Sequence, residues 1–521
     1  MRQALRRKGN APRQQTSALR SFPAPIGGWN GRDSLASMKS TDAVRLLNWF
    51  PRAAFVEVRG GYTSHATGMT GNGKALMAYN ALSGVNKLFC ATASGIYDVS
   101  SSGAVGAAAL ARTNGKHQHT MFGDGTNNWL IACNGVDKPA YFDGSTWTAV
   151  DGITSPALTG VTTTTLVQAL VFKGRLIFAQ AASLSIWYLT AGAAGGALTE
   201  FDLSGEFHRG GYIMALGTWT RDAGDGQDDV FIAVSSEGEV VSYAGTDPSD
   251  ATKWAKVGTF YVGRPLGRKC LTKAGGDLLI LTEGGIYPLS AALQNNEINR
   301  KYALSFKIDD PFVTAARTYG ANFGWSATLY PAREALIINV PEAEDGVHKQ
   351  FVMNSVTKAW CEFDSWNAED FTVFNGELYF TSGTAVYKAW DGPADGTSDV
   401  IAYGRPAFTY FEQPSQQKRV TLFRPVLAVN GGISFLAGID VDFEERDITG
   451  LATYSVNAEA LWDTAIWDDA VWASDSQIIR RWQSPTVGIG YAVSGKLKIA
   501  NQRLTIQWIA NDYVYETGGI L

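Results

Sequence analysis

The chain has 521 residues, room for two to four domains, and a net charge of −5 with only 18% charged residues. That balance argues against a protein whose main task is gripping nucleic acid, because such affinity comes from clustered Lys and Arg on phosphates. Generous glycine (56) and aromatic content (12%) suit many tight turns around broad sheet cores. No apolar stretch approaches the ~18 residues of a membrane span. The basic start (Arg2, Arg6, Arg7, Lys8) is followed by no apolar h-region, so no signal peptide is expected and folding is expected in a cytoplasm.

Residues 1–20 carry six basic and no acidic side chains and predict a solvated flexible arm, with a charge-mediated contact to DNA or to an acidic neighbour as the alternative. Residues 21–66 read as an N-terminal platform segment. Pro23, Pro25, Gly27 and Gly28 enforce an extended path and a turn, and Thr41 or Asp42 could cap a short helical turn through Leu47 that Pro51 ends. Phe55 to Val58 alternates like a strand. Trp29, Trp49 and Phe50 need partners that so short a segment cannot supply itself.

Residues 67–400 repeat one phrase: an apolar run, a small-residue turn and an aromatic second strand. It occurs at KLFCATASGIYDVS from Lys87, WLIACNGVDKPAYFDGSTW from Trp129 and GRLIFAQAASLSIWYL from Gly174. It returns at DVFIAVSSEGEVVSYAG from Asp229, DLLILTEGGIYPLS from Asp277, ALIINV from Ala335 and GELYFTSGTAVYKAW from Gly376. With Leu88, Leu130, Leu176, Phe231, Leu278, Leu336 and Leu378 as anchors, the intervals are 42, 46, 55, 47, 58 and 42 residues. Short strands at a period of ~40–50 residues are the signature of β-propeller blades, whereas paired sandwiches show turn spacing without a long period. The apolar run fits a blade's inner strands, which neighbouring blades cover on both faces.

Within the repeats, several clusters could carry chemistry. His117 and His119 in KHQHT share a side if that segment is extended, but no third zinc ligand lies near, and surface imidazoles are the plainer reading. In FDGSTW, Asp143 and Gly144 are adjacent where the sialidase Asp-box separates them, so a structural turn explains the motif. RDAGDGQDD offers Asp222, Asp225 and Asp228 as hard oxygen ligands for calcium, although Ala223 stands where integrin-type loops need an acid. A solvated acidic turn is the plainer reading there too. GRPLGRK places Arg264, Arg268 and Lys269 in a glycine-bounded loop, where they could touch DNA in a channel or pair with acids of a neighbouring subunit, the second being preferred. Cys90, Cys133, Cys270 and Cys361 lie far apart in or beside strands and read as small buried hydrophobes.

Residues 401–521 change character to longer alternating strands, as in ISFLAGIDVDF and KLKIANQRLTIQWIANDYVYE. Trp462, Trp467 and Trp472 recur every five residues, a step that matches neither a helix face nor a strand face; they suit platform packing, or a glycan-stacking shelf. A closed propeller returns its chain to where it began. The expected fold class is therefore all-β: a propeller plus a sandwich- or barrel-like platform built jointly from the N- and C-terminal segments.

Three segments resemble the tail nozzle (distal tail tube) proteins of short-tailed bacteriophages: PAPIGGWNGRDSLASMKSTDAVRLLNWFP; RDAGDGQDDVFIAVSSEGEVVSYAGTDPSDATKW with GRPLGRKCLTKAGGDLLILTEGGIYPLS; and LWDTAIWDDAVWA with RRWQSPTVGIGYAVSGKLKIANQRLTIQWIANDYVYETGGIL. The resemblance implies a hexameric ring in the virion tail that extends the portal and adaptor channel, conducts genomic DNA and carries fibres or spikes. No G-x-S-x-G, H-E-x-x-H or P-loop is present, so neither catalysis nor a cofactor is expected. The alternative is a stand-alone propeller that binds or cleaves glycans, as a lectin or depolymerase.

Overall fold

The computed structural model describes residues 17–82, 84–222, 227–291, 299–446, 448, 451–454, 477–484 and 489–518. The chain divides into two compact units, one made of residues 29–32 and 59–400, the other of residues up to 28, 33–58 and from 401 onward.

The first unit is a seven-bladed β-propeller. Among the described residues, four four-stranded antiparallel sheets, one of three strands, and four-stranded antiparallel parts of two larger sheets follow one another along the chain. Their innermost strands are Ala75–Tyr79, Gln118–Gly123, Leu166–Phe172, Ile213–Asp222, Leu271–Ala274, Ser326–Tyr330 and Asp370–Phe374. Each touches the next, and the seventh touches the first, so the ring is closed. All seven repeat anchors fall on the second strand of successive blades, from Leu88 in Lys87–Ala91 to Leu378 in Glu377–Ser382. The apolar run is thus the second strand, not the innermost. Second strands are sandwiched between neighbouring blades and bury both faces, whereas innermost strands turn one face to a channel and carry Gln118, His119, Gln168 and Ser326 there.

Apolar layers between blades hold the ring. Phe172, Ile177, Phe231, Val241 and Trp254 join the third and fourth blades; Met77, Phe89, Leu130, Phe142 and Trp147 join the first and second. Each such side chain contributes about 1.5–3 kcal/mol by leaving water. FDGSTW is indeed a turn: Asp143 accepts the amides of Ser145 and Thr146, and Trp147 packs on Phe89 and Phe142. The fifth blade has three strands, and beside its edge lie a 3-10 segment, Leu304–Ile308, and the helix Asp309–Tyr319. Asp309 and Asp310 in the helix's first turn and Arg317 in its last complement the macrodipole, while Phe312, Val313, Ala315 and Ala316 are buried.

Closure is not covalent. Tyr62–Thr67, which precedes the first blade, pairs antiparallel with Ala385–Ala389 and completes the seventh. The expected boundary at residue 66 therefore falls at 58, because this strand belongs to the ring. All four cysteines are buried and free, and burial pushes the thiols of Cys90, Cys133 and Cys270 up to about 12.

The second unit is a β-sandwich made from both ends of the chain. In one sheet, Ile506–Thr517 runs between Lys418–Val429 and Ala18–Pro23, so residues 18–20 of the expected flexible arm are strand. Residues 1–16 of that arm lie outside the described residues. The other sheet includes Asp42–Leu47, Val400–Pro406, Val493–Asn501 and Ile433–Val441. The segment expected as a helical turn is thus a strand: its capping signal is local and weak, while Val400–Pro406 supplies a ladder for its backbone.

The facing layers meet closely. The Gly495 amide of one sheet donates to the Tyr513 hydroxyl of the other at 2.9 Å, and within one sheet the rings of Trp49 and Trp508 lie 5.5 Å apart. A Cβ on Gly404 would stand 2.5 Å from the Trp508 ring. Gly404→Ala is expected to destabilise this unit by about 1–3 kcal/mol through overpacking, read as a lower urea midpoint by tryptophan fluorescence. An unchanged midpoint would mean that the layers have room to spare.

Candidate functional site at the mouth of the propeller channel

The seven innermost strands begin at one end of the ring, and the residues at and just before their starts line a cavity of 560 Å³ above a channel pocket of 270 Å³. These positions are polar because their side chains face the open cavity rather than a neighbouring blade. Gln168, from the third blade, shows how the strands are fixed: its amide accepts from the Leu216 N–H at 2.8 Å and donates to the Leu216 carbonyl at 3.0 Å.

Five lysine–carboxylate contacts staple loops from different blades across the mouth. Lys74, ahead of the first blade, reaches Asp345 at 2.7 Å, Glu369 at 3.3 Å and Glu344 at 3.4 Å. Lys116 pairs with Glu344 at 2.6 Å and lies over the Phe323 ring. Lys269, ahead of the fifth blade, pairs with Asp370 of the seventh at 2.6 Å, and the same Asp370 oxygen accepts the Leu76 amide at 2.8 Å. Burial alone would depress the Lys74 ammonium, but Asp345, Glu369 and Glu344 together outweigh it and hold the group above its ordinary value. Glu369 is pushed the other way for a carboxyl, upward, because burial dominates and Lys74 offsets only part of it. Its Oε1 also accepts the Asp345 amide at 2.6 Å.

Arg268 stands apart. Its Nη1 donates to the carbonyls of Ile213 and Met214, each at 3.2 Å, and the guanidinium lies 5.6 Å from the Tyr212 ring centre. Among the described residues it has no carboxylate partner, and burial lowers its pKa. Arg264 of the same loop is remote from this chemistry: it is exposed and pairs with Glu237 at 2.7 Å. Of the three cations of GRPLGRK, Arg268 and Lys269 thus line the same cavity with different partners, and Arg264 lies apart from it.

The histidines are enclosed rather than on the surface. His117 is buried, with Nε2 3.3 Å from the Asn134 amide, and His119 faces the channel with the inner strands around it. Burial first, then neighbouring cations, pushes His117 down to about 4 and His119 to about 3. No group of three metal-ligating side chains occurs among the described residues. The strands that flank the acidic segment form the first hairpin of the fourth blade, where Asp222 pairs with Gln227 and the Asp229 carboxylate accepts from the Thr220 hydroxyl at 2.7 Å. Asp225 lies outside the described residues, as do Trp462, Trp467 and Trp472, and the side chains of Asp222 and Asp228 are not among those described.

Lys74, Lys116, Gln118, Glu344, Asp345 and Glu369 escaped the sequence reading. Their signal was one of phase: Lys74, Gln118, Lys269 and Glu369–Asp370 all stand at the start of an innermost strand, one hairpin before the apolar run that marks the repeat.

Strand pairing, ring closure and this polar mouth define a β-propeller protein whose axial opening is a binding-sized cavity. No family model and no curated protein matches the chain. Similar solved structures include YCF48 bound to D1 peptide, at 11% identity over 67% of this chain and 98% of that one, with a TM-score of 0.34. The exo-β-1,3-galactanase of Phanerochaete chrysosporium with galactose is similar at 8% identity over 76% and 97%, TM-score 0.24. The glycoside hydrolase family 43 arabinoxylan arabinofuranohydrolase of Bacillus subtilis in complex with cellotetraose is similar at 9% over 90% and 95%, TM-score 0.25. The likeness concerns the all-β propeller fold, which enzymes and non-enzymes share.

Proposed function

We propose that the protein is a structural subunit of a tail nozzle ring in a short-tailed bacteriophage, where copies close head to tail into a hexamer that continues the portal–adaptor channel. In this role it retains packaged DNA, conducts it during ejection and offers attachment to fibres or spikes. The observation that carries the reading is a closed, stiff ring whose mouth carboxylates Glu344, Asp345, Glu369 and Asp370 are each held by a lysine of the same chain. Glycoside hydrolysis needs two carboxyl groups at a set separation, free to meet a glycosidic bond. Here they are spent on joining blades. The mildly acidic balance of the chain also avoids the phosphate grip that would stall a sliding polyanion. Where their residues are described, the segments that resemble nozzle proteins fall in the fourth and fifth blades and in sandwich strands from both ends of the chain, while LWDTAIWDDAVWA lies outside the described residues.

Negative-stain microscopy and light scattering of the purified full chain, alone and with a portal–adaptor stump, test the reading. The expected result is a six-fold ring, free or on the stump. A protein that stays monomeric in both settings and cleaves a polysaccharide would overturn it.

A further inference from the structure

We propose that the mouth of the propeller channel binds a small monoanionic sugar acid, with Arg268 holding its carboxylate and Gln118 a ring hydroxyl. This goes beyond a role in a ring and stands without it. Arg268 and Gln118 each line both the 560 Å³ cavity and the pocket beneath it, so one ligand can reach both. The cavity is within the ~300–1,000 Å³ range of small-molecule sites.

The charge of the ligand follows from what is already paired. Lys74, Lys116 and Lys269 are matched by Glu344, Asp345, Glu369 and Asp370, while the guanidinium of Arg268 has only carbonyl oxygens and the Tyr212 ring. A largely enclosed cation without a counter-charge is costly, and an incoming carboxylate removes that cost through charge-assisted bonds. In number the three lysines and Arg268 balance the four carboxylates, but among the described residues no carboxylate touches Arg268, so its guanidinium can take one further carboxylate and no second cation is left for the second charge of a phosphate dianion.

The rest of the ligand follows from open hydrogen-bonding groups. Among the described residues, the Gln118 side-chain amide and the Tyr212 hydroxyl have no hydrogen-bond partner, and both line the larger cavity. A donor–acceptor amide and a phenol beside an arginine suit a hydroxylated carrier, and the half-buried Phe323 adds apolar surface.

Isothermal titration of the full-length protein with D-glucuronate tests this, with acetate, D-glucose and D-glucose 6-phosphate as controls. Glucuronate is expected to bind at about millimolar affinity, as befits a single sugar, and more tightly than all three controls. Arg268→Met is expected to weaken it by about tenfold or more. Gln118→Ala removes no bond within the chain, so its fold should survive, and it is expected to weaken binding by roughly threefold or more. Absence of binding by glucuronate, acetate binding as tightly, the phosphate binding as tightly, or unchanged affinity in the well-folded Gln118→Ala protein would each overturn the assignment. Ring assembly, scored by microscopy on the same samples, reports on the structural role separately.

Discussion

Arg59→Met is expected to cost about 3–5 kcal/mol, the usual price of leaving one half of a buried ion pair alone. Arg59 lies just ahead of the strand that closes the ring, with its side chain fully buried. Its Nη1 and Nη2 donate to the two carboxylate oxygens of Asp395 at 2.8 and 2.6 Å, and Nη2 also donates to the Asp364 carbonyl at 2.7 Å. The guanidinium stands 5.1 Å from the Trp366 ring centre and 5.7 Å from that of Phe363. The fork therefore ties the start of the closing strand to the segments before and after the seventh blade. Methionine keeps much of the apolar contact but strands the Asp395 carboxylate. Hydrogen exchange of Tyr62–Thr67 should accelerate with the loss of the urea midpoint, and Arg59→Met with Asp395→Asn should recover part of it. A single variant within about 0.5 kcal/mol of the parent would show that this pair does not hold the closure.

Acid is expected to unfold the propeller well before its carboxylates are all protonated. His117 and His348 are buried, and burial first pushes each down to about 4. Neither ring nitrogen of His348 has a hydrogen-bond partner among the described residues, and its Nε2 is 3.9 Å from the Glu369 carboxylate. In the unfolded chain these imidazoles take up protons near 6.5, in the folded chain only near 4. Between those values the unfolded state holds the extra protons, so stability is present above about pH 6.5 and is lost as pH falls toward 4, by about 1.4 kcal/mol per unit per histidine. That amounts to roughly 3 kcal/mol for each of the two across the window. Glu369 works in the opposite direction, since its raised pKa makes the folded state the better proton acceptor, but it is one group against several imidazoles. Thermal midpoints measured from pH 7 to 4 should fall steeply, and His348→Leu should flatten the slope by about one proton. A midpoint flat down to pH 4.5 would contradict the enclosed, neutral histidines.

What the sequence determined by itself was whatever repeats locally. Seven apolar runs, each with a small-residue turn and an aromatic partner strand, mark seven second strands, and their order follows from Leu88 to Leu378 without any knowledge of contacts, while the number of blades was decided only by closure of the ring. The Asp143 turn and the buried cysteines were equally legible, because turn chemistry and burial of small apolar side chains depend on near neighbours. Tertiary structure alone decided what joins distant residues. Lys269 meets Asp370 across 101 residues and Arg59 meets Asp395 across 336, and no local pattern names such partners. Closure of the ring turned Tyr62–Thr67 into a blade strand and drew His117 and His119 inside. Pairing with Val400–Pro406 made a strand of Asp42–Leu47 against its capping signal. The physical reason is common to all of these: hydrophobic period is a property of a few adjacent residues, whereas charge pairing and strand addition depend on which chain segments the closed ring brings within reach.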